Sequence, residues 1–194
     1  MTFATPATVD RRAQTRTILL AAGETCFERN GVAATTMEHV ADEAGVTRMT
    51  LYRHFSSRDE LLVLVLLEIW ERESTKLAVI IERQPDVASM LVEGASYFVA
   101  TIASRPFLLD LVRSEGPGGW GTLEGAHLLS DTFGDYLRPY VAAHRREFRA
   151  TIDDTIEWLM RQVLLLLTVS PRRGLTPKEV RRQARTFIVP SVVR

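Results

Sequence analysis

Apolar residues recur at helical spacing through most of the chain, and no stretch alternates as a half-buried strand would. Leu19, Ala22, Gly23, Cys26 and Phe27 make one face of a first helix. Met37, Val40, Ala41 and Ala44 recur at i, i+3, i+4, i+7 in a second. Leu51 and Phe55, four apart, are the inward stripe of a third. The ends of these helices are also written locally. Thr35 and Glu38 fit a capping box, and Gly45 suits the left-handed residue that closes a helix. Thr47 is a good N-cap for the third helix, and Ser57 with Glu60 opens a fourth at about Arg58. That fourth helix is expected to run to about Gln84, where Pro85 stops it.

Downstream, 86–103 carries Leu91, Ala95, Phe98 and Ile102 at helical spacing, and Arg105-Pro106 breaks it. Short helical patterns follow at 107–113 and 123–146, the latter holding Pro139, which predicts a kink or break. Ile152, Ile156, Leu159, Val163 and Leu167 stripe a helix over 148–168. Thr176-Pro177-Lys178-Glu179 is a capping box with proline in the first turn. It opens a last helix with Val180, Ala184, Phe187 and Ile188 inward. The expected class is therefore all-α. A three-helix helix-turn-helix head occupies 11–57, after a disordered tail at 1–10. A helical bundle fills 58–194, joined to the head by the helix from Ser57.

At 194 residues and 46% hydrophobic content the chain can bury a substantial core. Lys plus Arg equals Asp plus Glu at 24 each, so any nucleic-acid surface has to be local. Such a surface is present. The first two short helices and their turn leave Arg48, Met49, Thr50 and Arg53 facing outward. Arg48 and Arg53 can pair with phosphates or donate a bidentate pair to guanine O6 and N7. Thr50 can bond a base edge and Met49 can contact a thymine methyl. Tyr52 and His54 can hold phosphates from the helix flank, and Thr36 sits at a helix N-terminus suited to a phosphate oxygen. A plain solvated corner is the alternative. Three capped helices coinciding with a basic aromatic cluster favour DNA in the major groove.

These residues carry a resemblance. Leu19-Leu20-Ala21-Ala22 through Phe27, Asn30-Gly31, Ala34-Thr35-Thr36-Met37, Val40-Ala41, Ala44-Gly45-Val46-Thr47, Thr50 to Phe55 and Ser57 to Leu62 resemble the TetR/AcrR family of bacterial transcriptional regulators. The likeness covers about residues 14 to 65. It implies phosphate contacts from Thr36, Thr47, Tyr52 and His54, and from Arg58 at the start of the fourth helix. It implies base reading by Arg48, Met49, Thr50 and Arg53. Met49 departs from the small residue or Pro often found there. The resemblance further implies a ligand-responsive regulator of the repressor type. Two copies would pair through helices near 149–168 and 177–193 and bind a palindromic double-stranded operator. A small, largely apolar effector would bind in the body, with Trp70, Phe98, Leu111, Trp120, Phe133 and Tyr136 as pocket candidates. A helical carrier or enzyme with a corner that does not bind DNA is the competing class.

No cofactor, metal or catalytic set is expected. The four histidines, His39, His54, His127 and His144, share no metal spacing. Asp153, Asp154 and Glu157 lack the Glu-x-x-His companion of a carboxylate metal site. Gly116 to Gly121 spells a dinucleotide fingerprint with no strand before it, so it reads as an interhelical loop or a gate carrying Trp120. The arginines at 172, 173, 181, 182 and 185 read as the solvated face of the last helix. Cys26, the single cysteine, lies on an apolar face with no flanking base to lower its pKa, and reads as a small hydrophobe. No apolar run approaches the ~18 residues of a membrane span and no signal peptide is visible, so a cytoplasmic protein is expected.

Overall fold

The computed structural model describes residues 6–119, 134, 137–169 and 175–194, which are helical apart from short turns and caps. Their contacts divide the chain into two compact units, Met1–Trp70 and Glu71–Arg194. The division falls at Trp70, further along than the expected boundary at residue 57. The all-α class holds. The extended pairing among the described residues is one antiparallel bridge, between Phe148 and Val193.

The first unit holds α1 (Pro6–Asn30), α2 (Met37–Glu43), α3 (Arg48–Tyr52) and the opening of α4 (Arg58–Glu82). Helix α1 begins at Pro6, inside the stretch expected as a tail; proline is well placed there because a first-turn amide has no helical partner. Leu19, Cys26, Phe27, Val40, Leu51, Phe55 and Leu61 are fully buried and form the core. Gly23 lets α4 come close to α1: a Cβ there would stand 3.1 Å from Val65 Cγ2 and 3.4 Å from Leu61 Cδ1. Gly45 closes α2 at φ 65, as its place in the turn requires.

Two caps differ from expectation. The N-cap of α2 is Thr36, not Thr35: its hydroxyl accepts from the His39 amide at 3.2 Å, while its own amide donates to His39 Nδ1 at 3.4 Å. Thr35 is buried, with its hydroxyl 2.7 Å from the Gly31 carbonyl and 3.1 Å from that of Cys26. Of two adjacent threonines, the inward one turns its hydroxyl onto carbonyls at the end of α1. At α4 the Glu60 amide donates to Ser57 Oγ at 3.1 Å as expected, but the Glu60 carboxylate accepts from Ser56, amide and hydroxyl both at 2.6 Å.

The second unit takes in the rest of α4, then α5 (Val87–Ala103), α6 (Pro106–Gly119), α7 (137–143), a 3-10 turn at Arg145–Glu147 and α8 (Ile152–Thr168). It ends with α9 (Pro177–Gln183), a π turn (Ala184–Ile188) and α10 (Val189–Val192). Helix α6 runs on to Gly119, so the first four residues of the expected glycine loop are helical. Residues 120 and 121 of that loop lie outside the described residues. Helix α8 starts four positions later than expected. Phe148 is extended and fully buried, and its neighbours pair with the chain's last residues: the Arg149 amide donates to the Val192 carbonyl at 2.9 Å and the Arg194 amide to the Glu147 carbonyl at 2.8 Å. Thr151 then caps α8.

The last helix holds another correction. Val180, Ala184 and Ile188 are buried as expected, but Phe187 is 70% exposed. A π turn is wider than an α turn. It brings Ile188 back into line with Val180 and swings Phe187 outward. Trp158, Leu165 and Val169 are exposed apolar residues as well, at and just beyond α8.

One buried carboxylate sits in this unit. Glu73 accepts from the Tyr97 hydroxyl at 2.6 Å and from Lys76 Nζ at 2.9 Å, with Arg105 3.6 Å away. Burial pushes the Tyr97 phenol up, and the bond to Glu73 pushes it further, to about 12. Burial also pushes the Glu73 carboxyl up, but the bonds from Tyr97 and Lys76 and the charges of Lys76 and Arg105 outweigh it and hold the group below its ordinary value. A phenol raised on folding contributes stability that is complete below its ordinary 10.0 and lost as pH climbs towards 12. A depressed carboxyl contributes stability present above 4.5 and lost as pH falls below it. Urea midpoints are therefore expected to be level near neutrality and to fall on both sides. Tyr97→Phe should flatten the alkaline limb; a limb of unchanged steepness would assign it to other groups.

Candidate nucleic-acid interface

The α2–turn–α3 corner is built by its caps. Thr47 accepts from the Thr50 amide at 3.2 Å, and the two hydroxyls lie 3.1 Å apart. Helix α3 has five residues and buries one of them, Leu51. Arg48, Met49 and Tyr52 on it face out. Met49 is 81% exposed and Tyr52 46%; Arg48 and Arg53 are exposed, and Thr50 and His54 are half-buried. The exposed Thr36 and Thr47 cap α2 and α3, so the hydroxyls expected to meet phosphates are oriented by their cap bonds. Arg58 differs. Its guanidinium holds Asp59 Oδ1 at 3.0 and 3.2 Å and reaches the Val32 carbonyl at 3.4 Å. To meet a phosphate it has to exchange those partners.

Arg12 and Arg16 also stand at this corner, and the sequence reasoning gave Arg16 no role. The Arg16 guanidinium carbon lies 5.0 Å from the centre of the Phe55 ring. Burial lowers the pKa of His54, and the charges of Arg12, Arg53 and Arg16 lower it further. The available signal was the i, i+4 spacing of Arg12 and Arg16, which places them on one face of α1.

Cys26 needs a different argument from the one the sequence suggested. A base is close: Arg29 Nη2 lies 3.8 Å from Sγ. Burial nevertheless raises the thiol's pKa against that charge, and Glu43, bound to Arg29 at 2.8 Å, adds to the rise. The thiol donates to the His39 carbonyl at 3.5 Å. It is a packed hydrophobe joining α1 to α2.

In the second unit, an apolar cavity of ≈ 60 Å³ is lined by Leu77, Ile81, Met90, Leu91, Gly94, Ala95, Phe98, Leu137, Tyr140, Val141, Leu159, Val163 and Ile188. Of the expected pocket residues Phe98 lines it. Trp70 belongs to the first unit, and the half-buried Leu111 is not on the cavity wall. Trp120, Phe133 and Tyr136 lie outside the described residues. The other wall residues carry no signal in the sequence, because a side chain lining a small cavity and one filling the core look the same at helical spacing. The polar wall group is the Tyr140 hydroxyl, which donates to Glu82 Oε1 at 3.3 Å. Among the described residues no three His, Cys, Asp or Glu cluster as a metal site would need. No single described helix is long and apolar enough to cross a membrane.

Residues 19–65 match the family described as bacterial regulatory proteins, tetR family. The transcriptional regulator TtgR of Pseudomonas putida is 38% identical over 64 residues, which is 33% of this chain and 30% of TtgR. The transcriptional activator FasR of Mycolicibacterium smegmatis is 46% identical over 57 residues, 29% of this chain and 24% of FasR. The likeness thus spans under a third of either relative. Solved structures extend it to the whole fold. NalD, the secondary repressor of an efflux pump in Pseudomonas aeruginosa, superposes with a TM-score of 0.61 at 21% identity, over 94% of this chain and 98% of that one. FadR of Bacillus subtilis, solved with stearoyl-CoA, gives 0.62 at 12% identity, over 88% and 97%. At such identities the shared property is the fold. All four are described as regulators of transcription.

Proposed function

We propose that this chain, which matches the tetR family of bacterial regulatory proteins over residues 19–65, is a ligand-responsive transcriptional repressor of that kind that binds a palindromic operator as a homodimer. The observation that carries this is α3 itself. A five-residue helix that buries one side chain and turns Arg48, Met49, Tyr52 and Arg53 outward is organised for contact with something outside the protein. In the major groove Arg48 and Arg53 read guanine, Met49 meets a thymine methyl and Thr50 a base edge. Thr36, Thr47, Tyr52 and His54 hold the backbone, and Arg58 joins them once it lets go of Asp59. With zero net charge, each head has few phosphate contacts, and pairing two heads doubles them.

The dimer face is the exposed apolar set on α8 and the last helix: Trp158, Leu165, Val169 and Phe187. Two-fold pairing there implies half-sites about one helical turn apart. The effector is apolar, because among the described residues the cavity wall offers it no free charge and no free polar side chain. At ≈ 60 Å³ the cavity admits only a few methyl groups, so a larger effector has to push its walls apart. Ile188 is one of those walls and adjoins Phe187, which ties effector binding to the dimer face. Release follows if the effector binds the DNA-competent arrangement less tightly than the alternative.

Gel shifts over promoter fragments next to the chain's own gene test the reading. The wild type should retard one of them, and Arg48→Ala with Tyr52→Phe should remove the sequence preference and weaken binding by about 10-fold or more per head. Unchanged binding by the double variant would remove α3 as the reading helix.

A further inference from the structure

Of the cations around His54, Arg12 and Arg16 have no place in the DNA contacts assigned so far. Arg12 and Arg16 come from α1, and Arg53 is the C-cap of α3. Phe55, nearly fully buried, is their pedestal: its ring centre lies 5.0 Å from the Arg16 guanidinium carbon and 6.2 Å from the His54 ring. Arg12 sits one helical turn before Arg16 on the same face. None of these three arginines forms an ion pair among the described residues. The nearby carboxylate, Glu60 on α4, is committed to the amide and hydroxyl of Ser56. Like charges gathered without counter-ions repel in the free protein, and an anion placed among them removes that cost. The patch continues from Arg53 and His54, which already belong to the proposed DNA face. DNA phosphate is the anion that this continuity selects.

We propose that Arg12 and Arg16 carry the DNA contact onto α1, where they hold backbone phosphates, and that His54 takes up a proton as those phosphates dock. The groups facing His54 are Arg12 and Arg16 from α1, Arg53 on its own element and, beyond Arg16, Glu60 from α4. In the free protein burial and the three guanidinium charges disfavour a second cation at His54. Phosphate reverses the sign of the local field. The imidazole then gains a proton and donates to the backbone. Affinity for DNA therefore rises as pH falls through the histidine range.

The proposal rests on the DNA-binding reading, and one titration separates the two. The probe is a fluorescein-labelled duplex of about 24 bp and arbitrary sequence, followed by anisotropy over about 50–200 mM KCl. Non-specific binding reports phosphates alone, so no operator is needed. Arg12→Gln with Arg16→Gln should reduce the salt slope by about two units per head, at about 0.9 per phosphate. Arg12→Lys with Arg16→Lys, which keeps the charges, should retain the slope and show that the Gln pair acts through charge. The wild type should bind more tightly as pH falls from about 7.5 to 5.5, and His54→Gln should flatten that dependence. A wild type that binds while the Gln pair keeps its full salt slope overturns the α1 contact. A pH dependence that survives in His54→Gln overturns the proton uptake. A wild type that binds no duplex at any salt overturns the DNA-binding reading, and this proposal with it.

Discussion

Glutamate at both Phe187 and Trp158 is expected to turn a dimer into folded monomers. Both side chains are apolar and substantially exposed, at 70% and 42%, so the chain's own core does not depend on them. The bond that Trp158 Nε1 donates to Ser191 Oγ at 2.9 Å is lost, but it lies on the surface. A two-fold axis presents each aromatic twice. Aromatic anchors at interfaces are commonly worth about 2 kcal/mol or more each on truncation, and buried carboxylates add a desolvation cost. The dimer constant should weaken by at least about three orders of magnitude. Sedimentation at micromolar protein would show monomer with unchanged far-ultraviolet dichroism. DNA affinity should fall by about 10²–10⁴, because two linked half-site contacts become one. A variant that stays dimeric would place the interface elsewhere.

The second large effect is local. Leu51→Ala should abolish DNA binding and leave the second unit folded. Isolated helices shorter than ~12–15 residues are marginal in water, and α3 has five residues. Its hold on the first unit is one fully buried leucine. Removing that side chain costs about 2–5 kcal/mol. A unit of this size has ~4–10 kcal/mol in all, at ~0.05–0.15 kcal/mol per residue. Hydrogen exchange should show amides of the first unit losing protection by about two orders of magnitude or more while those of α5 and α8 keep theirs. Equal loss in both units would mean that they unfold as one. Retained binding would mean that α3 is not held by Leu51.

Much of both units was legible along the chain because helices obey rules that act over three or four residues. The stripes Val40-Ala41 and Ile156-Leu159-Val163-Leu167 are buried where spacing put them. Thr47, Gly45 and the Thr176–Glu179 box close helices as their chemistry requires. The outward set on α3 followed from the same arithmetic, since one inward leucine leaves the other positions outside. Where two residues could serve equally, the sequence was mute. Thr35 and Thr36 are chemically the same, and only the position of the Gly31 and Cys26 carbonyls decides which of them turns inward.

The amino-acid sequence by itself determined most of the helices, the caps at Thr47, Gly45 and Thr176 and the identity of the surface that α3 presents, because each depends on near neighbours. Tertiary structure decided the rest. It turned Phe187 outward through a π turn that no local preference announces. It drew Phe148 out of α8 to pair with Val193. It left an apolar cavity where stripes from several helices meet imperfectly. It brought Arg16, distant along the chain, onto the Phe55 ring beside His54. Each of these depends on groups far apart in sequence meeting in space, and residue spacing carries no record of such a meeting until the chain has packed.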